Sequence, residues 1–177
     1  MKKLQIICLF LFVLSFTVTP SVSEAQSTEH SKSITLSPFH LVLPVLELTG
    51  EFQMQPKVGV AGILGFGSVS GTGVFEAGGQ FNYYLIGDFD HGMQLGSELL
   101  YVHASDAVDN VSVAANGVSV AGYIGYKIAA TFGLTFNAQL GGNLLLVRAT
   151  AEDESSTATA SGSDAGLLLN LNVGWSF

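Results

Sequence analysis

The sequence predicts an all-β chain that forms an eight-stranded antiparallel transmembrane up-and-down β-barrel. Three observations support this fold class: an amino-terminal export signal, apolar residues at every second position in most of the remaining chain, and a mean hydropathy of +0.46 without a later apolar run long enough for a membrane-spanning helix. Alternation with a period of two gives each strand an apolar and a polar face. A barrel in lipid uses both, because one face contacts lipid and the other lines the lumen.

Residues 1–25 are predicted to be a cleaved signal peptide. Lysines at positions 2 and 3 precede an apolar run over 4–18, and Ser23-Glu24-Ala25 supplies the small-x-small pattern that signal peptidase accepts. An uncleaved anchor helix is the alternative, but this run is short for a bilayer span. Cys8 lies inside the run, too early for a lipoprotein cleavage site. Residues 26–32 are polar and are predicted to be a flexible periplasmic lead-in to a barrel over 33–177.

Charge and cysteine content narrow the function classes. Removing Lys2, Lys3 and Glu24 with the signal leaves 4 of 6 basic and 13 of 14 acidic residues, a net charge of −9 with histidine neutral. Nucleic-acid binding requires a basic face, which such a chain lacks. The single cysteine leaves with the signal, so an exported barrel must be stabilised by backbone pairing and packing rather than by disulfides.

Eight segments of the chain alternate and are predicted to be strands. Stretches rich in Gly, Pro, Asp, Asn and Ser, the residues of turns and loops, separate them. Pro44 interrupts the ladder in the first connection because proline has no amide hydrogen. The predicted strands cover 33–40, 45–54, 58–68, 74–86, 93–104, 117–128, 134–148 and 167–177.

The last predicted strand shows the alternation most clearly. Apolar residues occupy every second position from Leu167 to Phe177, and Asn170 and Asn172 lie between them. We expect this strand to pair with both the first and the seventh strands and to direct its apolar side chains to lipid. In a soluble lipocalin-like barrel, the alternative at the level of the fold, the faces would be inverted and the leucines would lie inside.

The connections predict the orientation. Short turns at 55–57, 87–92 and 129–133 belong on the periplasmic side, whereas the longer connections 105–116 and 149–165 belong outside. An even number of strands then leaves both termini in the periplasm. Six or seven strands with a plug is the competing count. In the predicted orientation, two sets of aromatic side chains lie near the two ends of the barrel, as aromatic girdles do.

Several motifs resemble one family. The eight-strand plan, the signal peptide, Leu36-Ser37-Pro38-Phe39, the segment Glu47-Leu48-Thr49-Gly50-Glu51-Phe52 and the ending Val173-Gly174-Trp175-Ser176-Phe177 are similar to the small outer-membrane barrels of the OmpA/OmpX-like superfamily, in particular its uncharacterised members. The resemblance implies an outer-membrane location and an assembly signal at Trp175 and Phe177 that the barrel-assembly machinery reads. We expect the chain to depart from the larger OmpA proteins in lacking a periplasmic peptidoglycan-binding domain after the barrel. We also expect it to lack the long, strand-forming outer loops of OmpX-like adhesins.

A polar cluster is predicted inside the barrel. An eight-stranded barrel is only wide enough to be filled by its own side chains or to hold one small ligand. We expect Lys127 to join Glu98 or Glu51. A packed structural core is the first interpretation of the cluster, since buried polar groups are ordinarily paired, and a cation or small polar ligand among the carboxylates is the second. The expected members are Glu47, Glu51, Glu98, Lys127, Asn170 and Asn172.

No catalytic, cofactor or metal site is predicted. His103, Ser105 and Asp106 lie together near the outer rim, but they come from one strand end, where neighbouring residues alternate sides, and a triad needs hydrogen-bond contact among its members. His40, His91 and His103 are scattered without metal-ligand spacing. The acidic stretch 152–154 is interpreted as a solvated loop, or as one that shares divalent cations with lipopolysaccharide.

The expected function follows from these points. The chain is predicted to be a monomeric outer-membrane protein with a structural, membrane-integrity or surface-interaction role, whose partners are outer-membrane lipid, lipopolysaccharide and, during biogenesis, the barrel-assembly machinery. A small-solute or ion channel and a lipid A-modifying enzyme are the alternatives. Neither a cofactor nor nucleic acid is expected as a ligand.

Overall fold

The computed structural model describes residues 29–177 except 42–43, 109–110 and 153–156. The elements are β1 (Lys32–Leu36), α1 (Pro38–Leu41), β2 (Val45–Gln55), β3 (Val58–Val69), β4 (Thr72–Gly87), β5 (His91–Val108), β6 (Val111–Ala129), β7 (Leu134–Glu152) and β8 (Thr157–Ser176). Each strand pairs antiparallel with the next, and β8 closes the barrel on β1. The all-β prediction of eight antiparallel up-and-down strands is confirmed, and the competing count of six or seven is wrong. The predicted signal peptide and the first part of the lead-in lie outside the described residues.

The register fixes the tilt of the strands. Following the paired residues from Ile34 of β1 across the sheet leads to Ala165 of β8, whereas Ile34 itself pairs with Trp175, ten residues farther along β8. A stagger of ten residues at about 3.3 Å each, distributed over eight strands about 4.8 Å apart, corresponds to a tilt of about 40°. This tilt lies within the range of roughly 35–45° found in transmembrane barrels.

The two faces of the sheet differ in chemistry. Outward leucines on four strands, Leu64, Leu99, Leu140 and Leu169, are between 41% and 58% exposed, while the neighbouring inward positions are buried and mostly polar. Trp175 on β8 also points outward and is 50% exposed. Leucines outside and amides inside are the reverse of the lipocalin-like arrangement. An exposed apolar surface of this extent is typical of a face that contacts a membrane or another protein.

The first predicted strand is partly wrong. The prediction extended it over 33–40, but β1 ends at Leu36 and the short helix α1 begins at Pro38. Proline favours the first position of a helix, because the amide hydrogen that it lacks has no intrahelical partner there. The helix directs His40 towards the lumen, where its Nδ1 atom lies 3.3 Å from the carboxylate of Glu47 on β2.

The outer parts of β5 to β8 correct a second prediction. The stretches 105–116 and 149–165 were expected to be loops, but β5 extends to Val108, β6 begins at Val111, β7 extends to Glu152 and β8 begins at Thr157. These four strands have 18, 19, 19 and 20 residues, about twice the 9–11 that cross a bilayer. They therefore project beyond the tops of β1 to β4 as a sheet, and the expected absence of strand-forming outer extensions is wrong.

The opposite end of the barrel, here called the lower end, carries short turns and the carboxy-terminus. The turns at 56–57, 88–90 and 130–133 join consecutive strands there. The carbonyl oxygen of Phe177 accepts hydrogen bonds from the backbone N–H groups of Ser31 and Lys32, at 3.2 and 3.0 Å. No helix within the described ranges is long and apolar enough to cross a membrane.

Candidate functional site in the barrel lumen

The lower lumen is organised around Lys127 of β6. This side chain is 1% exposed, and its Nζ atom lies 2.8 Å from Glu51 Oε2 and 3.2 Å from Ser33 Oγ. The ring of Phe89, which is fully buried at the lower end, lies 3.3 Å from the same ammonium group. The structure thus places Lys127 against Glu51, the second of the two carboxylates considered for it from the sequence.

Glu51 is satisfied on both of its oxygens. Oε1 accepts hydrogen bonds from Asn82 Nδ2 at 2.9 Å and from the Tyr84 hydroxyl at 2.8 Å, while Oε2 faces Lys127. Asn82 is held in turn by the hydroxyl of Tyr123, which donates to its Oδ1 at 2.8 Å. These contacts join β2, β4 and β6 around one buried ion pair. We refer to Glu51, Asn82, Tyr84, Phe89 and Lys127 as the lower cluster.

Amide side chains link the middle of the lumen. Gln80 donates to Glu98 Oε2 at 2.8 Å, so Glu98 has an amide partner rather than Lys127. Asn170 accepts a hydrogen bond from Ser37 Oγ at 3.2 Å and donates to Gln139 at 3.5 Å. Asn170 therefore belongs to the predicted cluster by contact.

Asn172 belongs to the predicted cluster by its position in the lumen and not by a hydrogen bond. Its side chain is 2% exposed, as predicted for an inward position on β8. Neither its Nδ2 nor its Oδ1 has a hydrogen-bond partner within the described part of the chain. The polar lumen is thus not uniformly satisfied.

The upper lumen holds a second group of charged side chains, which the sequence prediction did not assemble. His40 of α1, Glu47 of β2 and Glu76 of β4 each place one ligand atom within 4.8 Å of the other two. We refer to these three residues as the upper cluster. Only Glu47 was among the predicted lumen residues. Glu76 could have been found, because it shares the inward face of β4 with Gln80, whereas the helix that carries His40 could not.

The register explains how the two carboxylates of the upper cluster meet. Glu47 pairs with Gly65 of β3, and Gly65 pairs with Glu76, so the three residues form one row across adjacent strands. A side chain at the central position would occupy the space that the carboxylates use, since a Cβ atom on Gly65 would lie 2.8 Å from Glu76 Oε2. The glycine thus allows two glutamates from non-adjacent strands to converge.

The upper cluster is poorly satisfied. Glu47 is 3% exposed, yet its Oε1 atom has no hydrogen-bond partner among the described residues, and the same holds for Glu76 Oε2 and His40 Nδ1. His40 Nδ1 is 3.3 Å from Glu47 Oε2, which is an ion-pair distance, but the contact does not have the geometry of a hydrogen bond. The adjacent Glu47 carboxylate raises the pKa of His40, partial burial opposes the rise, and Glu76 and Glu98 add to it more weakly.

The residues at the outer rim do not form a triad. His103 Nδ1 lies 2.9 Å from Asn116 Oδ1, whereas Asp106 accepts a hydrogen bond from Thr72 Oγ1 at 3.0 Å. His103 and Asp106 are three residues apart on β5, so their side chains point to opposite faces of the sheet. This geometry does not bring a base, a nucleophile and an acid together.

The predicted assembly residues lie at the lower end. Trp175 and Phe177 are 50% and 54% exposed, and the Trp175 ring lies 5.8 Å from that of Phe132. Asp90, in the β4–β5 turn, accepts hydrogen bonds from the backbone N–H groups of Glu29 and His30, at 2.7 and 3.3 Å. His91, by contrast, is exposed at the start of β5.

The chain matches none of the protein-family models, curated proteins or solved structures with which it was compared. Chemically, the lower cluster is a neutralised, hydrogen-bonded core. The upper cluster offers one imidazole nitrogen and two carboxylates with free lone pairs.

Proposed function

We propose that this chain is a monomeric outer-membrane β-barrel that does not act as a pore and has a structural or surface-interaction role. The observation that carries the proposal is the pairing of an apolar outer belt with a lumen filled by buried polar side chains. In lipid, a strand must satisfy its backbone within a closed sheet and show apolar side chains outside. A chain with this arrangement is stable in a bilayer and poorly soluble outside it.

The aromatic residues support a membrane location, and the tilt of the strands is compatible with it. A tilt of about 40° matches the geometry of spanning barrels. Aromatic side chains on the outer surface are 42–55% exposed, as interfacial girdles would be: Phe66, Phe75, Phe81, Tyr83, Tyr101, Tyr126, Phe136, Trp175 and Phe177. The resemblance to OmpA/OmpX-like barrels and the predicted signal peptide agree with export to the outer membrane, where Trp175 and Phe177 would serve as the assembly signal.

The projecting sheet supports a surface-interaction role. Within the described residues, β8 pairs with β1 only through Val173–Ser176, so its outer part borders β7 on one side alone. The positions from 157 to 167 are all exposed. An exposed strand edge binds extended segments of other chains through backbone hydrogen bonds. The partner favoured by this geometry is an extended segment of another protein that lies outside the cell, close to lipopolysaccharide.

The channel and enzyme alternatives have less support. Lys127, Glu51 and the fully buried ring of Phe89 occupy the lower lumen, where a conducting path would have to pass. At the rim, His103 contacts Asn116 and Asp106 contacts Thr72, so the residues of a lipid-modifying site are separated. We therefore expect neither conductance nor a change in lipid A composition on replacing His103.

Single-cysteine variants test the location and orientation, because the predicted mature chain has no cysteine. Ser161→Cys, in the outer part of β8, should react with a membrane-impermeant maleimide on intact cells, and the matched Thr131→Cys, in a lower turn, should react only after the outer membrane is permeabilised. Purified protein should require detergent or lipid and should give no conductance in planar bilayers. Detergent-free solubility, or equal labelling of both cysteines on intact cells, would overturn the membrane proposal, and steady conductance would favour the channel.

A further inference from the structure

The upper cluster has the composition of a metal site. Its three ligand atoms come from three different elements, the helix α1 and the strands β2 and β4, and converge within 4.8 Å. One imidazole nitrogen and two carboxylates form a ligand set that binds divalent transition metals, since imidazole suits zinc and related ions and carboxylates complete their coordination. Magnesium and calcium prefer oxygen ligands alone.

The distances fit a shared ion. Two ligands bound to one tetrahedral zinc ion at about 2.0–2.1 Å lie roughly 3.3 Å from each other. His40 Nδ1 and Glu47 Oε2 are 3.3 Å apart without making a hydrogen bond. All three ligand atoms lie within 4.8 Å of one another, and rotation of the flexible Glu76 side chain, whose carboxylate lies over the space left by Gly65, would adjust its distance to an ion held by His40 and Glu47.

The charges in the lumen point to a cation. Lys127 forms an ion pair with Glu51, and Glu98 accepts a hydrogen bond from the amide of Gln80. Glu47 is 3% exposed, with one oxygen that no donor reaches among the described residues, and it faces a second carboxylate with an equally free oxygen. Buried carboxylates are ordinarily paired or bound to a metal, because burying an uncompensated charge is costly.

We propose that His40, Glu47 and Glu76 bind one divalent transition-metal ion of the zinc class in the upper lumen. The ion would fasten α1 to the barrel wall formed by β2 and β4, and a water molecule would complete its coordination. The sequence predicted no metal site, and it offered a cation among the lumen carboxylates only as a second interpretation of the polar cluster. It requires the barrel fold alone, so it does not depend on the membrane location or on the projecting sheet.

Zinc binding by the untagged protein, purified in detergent and stripped with a chelator, tests the proposal. We expect one Zn²⁺ per chain by elemental analysis, and a rise in the unfolding temperature when Zn²⁺ is added. His40→Ala, Glu47→Gln and Glu76→Gln should each weaken binding by at least the roughly tenfold that loss of an outer-shell partner costs at known sites. They should also abolish the rise in unfolding temperature.

Two control variants separate ligation from weaker effects. Glu98→Gln removes a buried carboxylate from the same lumen without removing a ligand, and His91→Ala removes an exposed histidine at the lower end. Both should retain one Zn²⁺ per chain. Heat-dependent mobility in electrophoresis should show that every variant forms the barrel. Absence of stoichiometric binding, weakening by Glu98→Gln equal to that by Glu47→Gln, or loss in His91→Ala would each overturn the proposal.

Discussion

The lower and upper clusters hold the same kind of side chain in two different electrostatic situations. Glu51 and Glu47 lie four residues apart on β2, both point inward, and both are less than 5% exposed. Glu51 receives a lysine and two hydrogen-bond donors, whereas Glu47 faces a histidine outside hydrogen-bond geometry and a second glutamate. Burial alone therefore does not indicate whether a carboxylate stabilises the fold.

The contrast separates a structural role from a binding role. A buried ion pair with its remaining lone pairs satisfied is a packing unit, and removing either partner is strongly destabilising. A buried carboxylate with a free oxygen destabilises the fold until something occupies the free position. The lower cluster therefore has the properties of a structural core that stabilises the lower end of the barrel. The upper cluster has the properties of a ligand-binding site.

The largest expected difference is between Glu51→Gln and Glu47→Gln. Glu51→Gln leaves Lys127 charged and buried without its counter-ion, so the free energy of unfolding should fall by about 3–5 kcal/mol. Glu47→Gln removes a buried charge that has one free oxygen and only the weakly placed His40 beside it, so in the absence of metal it should change the free energy of unfolding by less than about 1 kcal/mol or increase it. Urea unfolding in micelles, followed by the fluorescence of Trp175, the only tryptophan, measures both. Equal losses in the two variants would remove the distinction between the clusters.

Replacing the lysine should have a somewhat smaller effect than replacing its partner. In Lys127→Met the Glu51 carboxylate keeps the hydrogen bonds from Asn82 and Tyr84, so we expect a loss of about 3 kcal/mol, the lower end for a broken buried pair. Lys57→Met is the matched control, because Lys57 is exposed and its Nζ atom donates a hydrogen bond to the Gly87 carbonyl oxygen at 2.8 Å. It should cost less than about 1 kcal/mol. A double variant of Lys127 and Glu51 should be less destabilised than the sum of the single variants.

The barrel itself could be predicted because the alternation is strongest where the environment differs most across the sheet. The predicted strands 45–54, 58–68 and 134–148 begin at the residues where β2, β3 and β7 begin. The outer parts of β5 to β8 were missed because the positions from 157 to 167 are exposed on both faces of the strand. Ser, Thr and Ala there show no apolar period, although the backbone continues to pair.

The sequence predicted which charged residues lie in the lumen, but it predicted the contacts between them less well. Strand parity placed Lys127 and Glu51 inside, and a long lysine reaches a neighbouring carboxylate with little dependence on register. The upper cluster depends on the row from Glu47 through Gly65 to Glu76, which a register shift of one residue would break. It also depends on His40. If the first strand had continued to residue 40, as predicted, this side chain would lie outside the lumen.

A matched pair of serines tests whether Lys127 is charged in the fold. Ser33 and Ser37 are both buried, and the hydroxyl of each makes a hydrogen bond of 3.2 Å, that of Ser33 with Lys127 Nζ and that of Ser37 with Asn170 Oδ1. A hydrogen bond to a charged group contributes about 1.5–3 kcal/mol and one between neutral groups about 0.5–1.5 kcal/mol. Ser33→Ala should therefore lower the free energy of unfolding by more than Ser37→Ala. The reverse order would indicate a neutral lysine and weaken the description of the lower cluster as an ion pair.

The smallest expected effect concerns the glycine that lets the upper cluster form. In Gly65→Ala the new methyl group would displace the Glu76 carboxylate, whose flexible side chain can move, so the loss in unfolding free energy should be about 1 kcal/mol. Gly62→Ala, three residues away on β3 with no atom within 4 Å of the added carbon, should be neutral or slightly stabilising. In chelator-treated protein Gly62→Ala should match the parent, and Gly65→Ala should show only its loss of about 1 kcal/mol. Only Gly65→Ala separates the two carboxylates, so only this variant should reduce the gain in stability that Zn²⁺ produces. An equal gain in both variants would mean that Glu76 does not need its position over Gly65.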